Sequence, residues 1–122
     1  MYKLNVRSHF SAAHKLNRYD GACKRLHGHN WKVRVCLACE KRDATGMCID
    51  FGDIKRYLKD VLDRFDHQYL NELKIFKDEN PTSENIAKLI FQELKSKITN
   101  NNCKVSEVEI WESEKSSVIY SE

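Results

Sequence analysis

Hydrophobic and polar residues alternate along both ends of the chain. In the first segment, apolar side chains recur at even positions from Tyr2, which is the period of a half-buried strand. This phase places His14 on the apolar side. A second alternating run begins at His27 and carries its apolar residues at odd positions, so that His29 and Leu37 share one side. The pattern predicts two long strands whose histidines point toward the core.

In the middle of the chain the hydrophobic period changes to three and four residues, which indicates two amphipathic helices. The first helix is predicted over Phe51–Phe65, and the second begins at Pro81–Glu84 with a hydroxyl N-cap. Alternation returns over residues 105–112 and 118–120. The order ββααββ predicts an α+β fold, a four-stranded antiparallel sheet with two helices on one face, in a single domain spanning residues 1–122.

The net charge of +3 is distributed unevenly along the chain. Residues 1–34 contain eight lysines and arginines and one acid, Asp20. This half should attract anions. Because the chain has no zinc-finger, RNA-recognition or helix-turn-helix pattern, a small phosphorylated ligand is favoured and nucleic acid is not expected as a partner. The basic residues are Lys3, Arg7, Lys15, Arg18, Lys24, Arg25, Lys32 and Arg34.

No apolar run approaches the roughly 18 residues that span a bilayer, and no signal peptide is apparent, so we expect a soluble cytoplasmic protein without a membrane partner. Five cysteines are an odd number, and free thiols in a reducing compartment are the default expectation. Cys36 and Cys39 form a Cys-x-x-Cys pair, but positions i and i+3 of a strand face opposite sides. We interpret both as strand residues that fill space.

Three histidines are spaced to hold one metal ion. Side chains two residues apart on a strand share a face, so His27 and His29 can reach one ion while His14 arrives from the neighbouring strand. Three imidazoles without an obvious fourth protein ligand are typical of an open, catalytic zinc site. The alternative is that His27 and His29 are surface histidines flanking a turn at Gly28, and spacing alone leaves both interpretations open.

A family resemblance adds to this interpretation. Six segments carry it, in this order: Phe10–His14, Cys23–Asn30, Ile49–Lys55, Leu62–His67, Asn80–Glu84 and Trp111–Ser113. Together they resemble the pterin synthase family that contains 6-pyruvoyl-tetrahydropterin synthase and 6-carboxytetrahydropterin synthase. One departure is Lys24, where relatives often have glycine or another small residue, so the loop that holds Cys23 is expected to be charged differently here.

The resemblance implies a fold, an assembly and a cofactor. Members adopt the tunnelling fold, in which three subunits join their sheets into a barrel and two rings stack into a hexamer. Active sites then lie at subunit interfaces, so a homo-oligomer, trimeric or hexameric, is expected. The family motif assigns His14, His27 and His29 as ligands of Zn²⁺.

The resemblance also implies catalytic roles. Cys23 corresponds to the catalytic base, and the positive charge of Lys24 and Arg25 would lower the pKa of its thiol. Asp66 and His67 correspond to a proton-transfer pair, whose alternative is a polar helix C-terminus.

Three further residues are predicted to bind the substrate. Glu112 shares a strand face with Val108 and Ile110, so its carboxylate needs a partner. The family places its pterin anchor at this position, and the alternative is a strand-end glutamate that turns to solvent. Thr82 and Ser83 match residues that help hold the pterin ring, although helix capping explains them equally well.

The function implied is that of a carbon–carbon and carbon–oxygen lyase. It would convert 7,8-dihydroneopterin triphosphate to 6-carboxy-5,6,7,8-tetrahydropterin, acetaldehyde and triphosphate, on the way to the 7-deazaguanine base queuosine. The pyruvoyl-forming reaction and a non-catalytic zinc- or pterin-binding oligomeric module are the alternatives. A thiol hydrolase has less support, because its Cys-His mechanism would leave three clustered histidines without a role.

Overall fold

The computed structural model describes residues 1–21 and 24–122. Two 3-10 turns, Leu70–Glu72 and Lys74–Phe76, precede the second helix. The strands and helices are β1 (Tyr2–His14), β2 (His27–Cys39), α1 (Phe51–Leu62), β3 (Gln68–Tyr69), α2 (Ser83–Lys97), β4 (Cys103–Ser113) and β5 (Ser116–Ser121).

The strands form one sheet in the order β3-β1-β2-β4-β5. The pairs β1–β2, β2–β4 and β4–β5 are antiparallel, as predicted, and the α+β class is confirmed. The short strand β3 was not predicted. It runs parallel to β1 and pairs only Ala12 with Gln68 and Ala13 with Tyr69.

The core lies between one face of the sheet and the two helices. The even positions of β1 and the odd positions of β2 point into it, together with the apolar stripes of α1 and α2. Trp31 is the largest fully buried side chain and stacks on Phe10 at a ring-centroid distance of 5.8 Å. The opposite, outer face of the sheet is polar and includes the exposed residues Arg7, His9 and Lys32.

Both helices begin at a side-chain cap, and the cap of α2 is the predicted hydroxyl. Asp50 caps α1, and its side chain accepts a hydrogen bond from Gly52 N at 2.8 Å. Thr82 caps α2 by accepting from Asn85 N at 3.1 Å. The predicted end of the first helix was too late, because α1 stops at Leu62.

The sheet keeps two open edges in the described part of the chain. The edge of β1 is covered by β3 only at two residues, and β5 is the last strand on the other side. Unpaired backbone groups at such edges are a template for pairing with another chain. Within the described ranges, no helix is both long and apolar enough to cross a membrane.

A disulfide corrects the expectation that all cysteines are free thiols. Cys39 and Cys103 are cross-strand partners in the β2–β4 ladder, with Cα atoms 4.3 Å apart, and they are joined by a disulfide. The sequence pattern could not pair them because they are separated by 64 residues. Cys36 points to the other face of β2 and is a buried free thiol, as predicted for a strand residue.

We expect this disulfide to stabilise the fold by about 2–4 kcal/mol, because it closes a long loop in the unfolded chain. Reduction should lower the melting temperature by roughly 5–15 °C. In alkylation followed by peptide mass spectrometry, the peptides containing Cys39 and Cys103 should be labelled only after reduction. Cys36→Ala is the matched control and should keep the reductant-dependent shift. Labelling of Cys39 in unfolded, unreduced protein would contradict the disulfide.

Candidate metal centre and active site

Three imidazole rings meet where β1 and β2 end. His14 and His27 are the last pair of the β1–β2 ladder, and His29 lies opposite Ala12. The Nε2 atoms of His14 and His27 are 3.0 Å apart. One ring nitrogen from each of the three histidines lies within 4.8 Å of the others. The predicted convergence of these side chains is therefore present in the fold.

Backbone carbonyls orient two of the rings. Pro81 O accepts a hydrogen bond from His14 Nδ1 at 2.8 Å, and Arg25 O accepts one from His27 Nδ1 at 2.6 Å. Since each Nδ1 carries the proton, each Nε2 presents a lone pair toward the other ring. The Nε2 atom of His29 is buried and has no hydrogen-bond partner among the described residues.

This donor set fits a zinc ion. Two lone pairs facing each other at 3.0 Å repel unless a cation lies between them. Three nitrogens bound tetrahedrally to zinc at about 2.0–2.1 Å would lie about 3.3 Å apart, which is close to the 3.0 Å between the Nε2 atoms of His14 and His27. Burial lowers the pKa of His14 and of His29, which favours the neutral imidazole that binds metal.

Trp31 and Glu112 complete the surroundings of the histidines. The Trp31 ring meets His14 and His29 edge-on at centroid distances of 4.9 and 5.1 Å, and its Nε1 donates to Ala12 O. Glu112 points to the core face of β4, with Oε1 3.6 Å from His14 Nε2 and its side chain 32% exposed. A carboxylate therefore faces the centre and keeps access to a ligand.

The start of α2 lies beside the centre. The Pro81 carbonyl holds His14, and the next residue, Thr82, uses its hydroxyl as the helix cap. Ser83 is the first helical residue and is half-buried. The observed hydrogen bond of Thr82 is the capping one, and the predicted pterin-binding role of Thr82 and Ser83 stays a prediction.

Asp66 and His67 lie in a turn four residues beyond the end of α1 and are anchored to the edge of β1. Asp66 Oδ1 accepts from Ser11 N at 2.9 Å, and His67 N donates to Ser11 O at 2.6 Å. The Ser11 hydrogen bond, supported by His67, lowers the pKa of the Asp66 carboxyl. Asp66 Oδ2 is 3.0 Å from His67 Nδ1, so the two adjacent side chains contact each other.

The Asp66–His67 pair lies near one member of the histidine cluster and is accessible to solvent. The His67 side chain is 82% exposed and lines a shallow groove together with Ala13, Gly28 and His29. The pair is therefore exposed at the open edge of β1. Within the described residues, neither member forms a hydrogen bond with the cluster.

Two further histidine and cysteine positions remain to be compared with the structure. Cys23, the predicted base, lies outside the described residues, while the flanking Lys24 and Arg25 are exposed. His9 lies exposed on the outer face, as expected for a strand histidine without a role.

The sequence did not predict that the carbonyls of Pro81 and Arg25 orient His14 and His27, or that the Trp31 ring packs against His14 and His29. Trp31 could have been found, because it shares the strand parity of His27 and His29.

The chain is similar to known proteins over most of its length. The family model described as 6-pyruvoyl tetrahydropterin synthase matches residues 3–122. A protein named putative 6-carboxy-5,6,7,8-tetrahydropterin synthase from Archaeoglobus fulgidus is 42% identical over 94 residues, covering 77% of this chain and 76% of that protein. A 6-carboxy-5,6,7,8-tetrahydropterin synthase from Haemophilus influenzae is 32% identical over a 144-position alignment that covers both chains fully.

The fold is also shared with a solved structure. The 6-pyruvoyl tetrahydropterin synthase of Caenorhabditis elegans superposes with a TM-score of 0.90 at 31% identity, covering 99% of this chain and 95% of that one. The family match and the shared fold place the chain among the pterin-synthase class of lyases. The chain belongs to the 6-pyruvoyl tetrahydropterin synthase family, as the sequence motifs indicated.

We expect purified protein to contain close to one zinc per chain, and His27→Ala to lose most of it, because the variant removes one of three convergent nitrogens. His9→Ala removes an exposed imidazole on the outer face and is the matched control. Elemental analysis of the two variants measures the difference. Equal zinc content in wild type and His27→Ala would rule out this centre.

Proposed function

We propose that the protein is a zinc-dependent 6-carboxy-5,6,7,8-tetrahydropterin synthase. Its substrate would be 7,8-dihydroneopterin triphosphate, and its products 6-carboxytetrahydropterin, acetaldehyde and triphosphate, in the route to queuosine. The observation that carries the proposal is the convergence of three histidine nitrogens beside an accessible carboxylate, Glu112. The carboxy-forming branch is favoured because relatives at 42% and 41% identity carry that name.

His14, His27 and His29 would hold the metal. When bound, zinc would act as a Lewis acid that raises the acidity of the substrate's side-chain hydroxyls. The carbonyls of Pro81 and Arg25 would keep the first two imidazoles in the tautomer that coordinates through Nε2.

Glu112 would bind the pterin ring. The pyrimidine part of a pterin offers adjacent N–H donors, and one carboxylate can accept both, which fixes orientation as well as affinity. The 3.6 Å separation from His14 Nε2 supports this role, because a ring held by Glu112 has its side chain directed at the metal centre.

Cys23 would be the general base and take a proton from the substrate side chain. The positive charges of Lys24 and Arg25 next to it in sequence favour the thiolate. Asp66 would orient His67 as the group that returns or relays the proton, which their 3.0 Å contact supports.

Assembly would bring the two halves of the site together. The Asp66–His67 pair faces outward from the edge of β1, so the metal centre of one subunit would work with the pair of a neighbour. Pairing the β1 edge of one copy with the β5 edge of the next is a heterologous contact, and such contacts form a ring when the rotation between copies closes. This supports a trimer, or a hexamer of two stacked trimers, with sites at the interfaces.

Product analysis tests the reaction. Wild-type protein incubated with 7,8-dihydroneopterin triphosphate should release acetaldehyde and 6-carboxytetrahydropterin, measured by mass spectrometry. Cys23→Ala should keep its zinc and lose turnover by about a hundredfold or more, because a positioned base acts in the transition state. Cys36→Ala is the matched control and should keep full activity.

Other outcomes would identify the alternatives. A pyruvoyl product without acetaldehyde would assign the other branch of the family. Absence of turnover by zinc-loaded wild type would support a non-catalytic binding module. Loss of zinc from Cys23→Ala would make the cysteine a fourth ligand and the site structural.

Glu112→Gln tests the pterin anchor. The substitution replaces one acceptor oxygen by a donor that would face a pterin N–H, a mismatch that costs about 1–3 kcal/mol. We expect the dissociation constant of a pterin analogue to rise by roughly one to two powers of ten, with zinc content unchanged. Glu114→Gln, at an exposed neighbouring position, is the control. Equal dissociation constants for wild type and Glu112→Gln would place the ring elsewhere.

A further inference from the structure

Four cations surround a depression next to the metal centre. The segment between β1 and β2 contributes basic side chains that, with Tyr19 and Asp20, line a shallow depression of about 570 Å³. We refer to these four residues as the cationic loop: Lys15, Arg18, Lys24 and Arg25.

The cationic loop adjoins the ends of both ligand strands. Lys15 directly follows His14, and the Arg25 carbonyl is the hydrogen-bond acceptor of His27 Nδ1 at 2.6 Å. The loop therefore begins where the histidine pair ends.

Two asparagines hold the start of the loop. Asn71 forms paired hydrogen bonds with Lys15 N and Lys15 O, both at 2.9 Å. Asn80 forms the same arrangement with Asn17 N and Asn17 O at 2.9 and 2.8 Å. Arg18 follows with a φ of +61°, a conformation that is uncommon for residues other than glycine and persists where the surroundings enforce it. This part of the loop is a fixed platform.

The charges of the loop are unmatched. Among the described residues, none of the four cations forms an ion pair, and Asp20 is the one acid between residues 15 and 25. By contrast, Arg34 on β2 is paired: its Nη2 lies 3.3 Å from Glu107 Oε2 and 3.0 Å from Glu109 Oε1. A preorganised group of unpaired cations favours an anion with several charges.

The strand register orders these features along one line. Glu112 lies one residue past the Lys32–Trp111 pair, and the His14–His27 pair is farther along β2 toward the loop. The order is carboxylate, metal centre, cationic loop. A dihydroneopterin triphosphate has the same order of groups: ring, side-chain hydroxyls, triphosphate.

We propose that the cationic loop binds the triphosphate group of the substrate, with Arg18 and Arg25 as its main contacts. This inference rests on the proposed function, and it assigns the part of the substrate that the metal centre and Glu112 leave without a partner. Arginine suits this role because its planar guanidinium donates two parallel hydrogen bonds to phosphate oxygens.

Titration with inorganic triphosphate tests the subsite without turnover. Zinc-loaded full-length protein is compared by calorimetry with Arg18→Gln/Arg25→Gln, which removes two charges and leaves the Arg25 carbonyl in place. The double variant should bind inorganic triphosphate about tenfold more weakly or worse, because two charge-assisted contacts are lost. Lys88→Gln/Lys104→Gln removes two exposed charges from α2 and the opposite end of the sheet, and should bind within about twofold of wild type.

A second measurement distinguishes binding of the triphosphate from binding of the pterin ring. The double variant should raise KM for dihydroneopterin triphosphate and leave the dissociation constant of unphosphorylated dihydroneopterin unchanged. Equal triphosphate affinity in the double variant and wild type overturns the subsite, as does equal weakening in the lysine control. Wild type that binds triphosphate through these arginines and shows no turnover supports the subsite and contradicts the proposed reaction.

Discussion

The site depends on one electrostatic constraint: imidazole lone pairs directed at each other need a cation between them. His14 and His27 each donate Nδ1–H to a backbone carbonyl, which leaves their Nε2 atoms facing at 3.0 Å. His29 adds a buried nitrogen without a partner in the described part of the chain. Burial lowers the pKa of His14 and of His29, which disfavours a proton in place of a metal ion. These imidazole nitrogens lie where β1 and β2 end.

The rest of the molecule explains why the arrangement persists and why it is incomplete. The helices cover one face of the sheet, and Pro81 reaches His14 because α2 begins beside the strand end. The outer face stays polar and both sheet edges stay open. Asp66 and His67 are bound to the β1 edge, and among the described residues neither forms a hydrogen bond with the histidine cluster. A neighbouring copy would supply the missing half, which links assembly to chemistry.

Much of this could be predicted from local pattern. Strand parity placed His14, His27 and His29 on one face, because a period of two is fixed by backbone geometry. The N-cap at Thr82 followed from side-chain chemistry.

Contacts between distant segments could not be predicted in this way. β3 has two residues, too few for any periodicity, and exists because the turn at Asp66 is bound to Ser11. The Cys39–Cys103 disulfide depends on the β2–β4 register, and the early end of α1 on tertiary packing of Phe65.

The central claim is that three histidine nitrogens form an open zinc centre. X-ray absorption at the zinc edge of the purified, metal-loaded protein tests it most directly. The account predicts nitrogen and oxygen ligands at about 2.0–2.1 Å and no sulfur, with the remaining position occupied by solvent. A sulfur ligand at about 2.3 Å would show a closed structural site and would contradict the account.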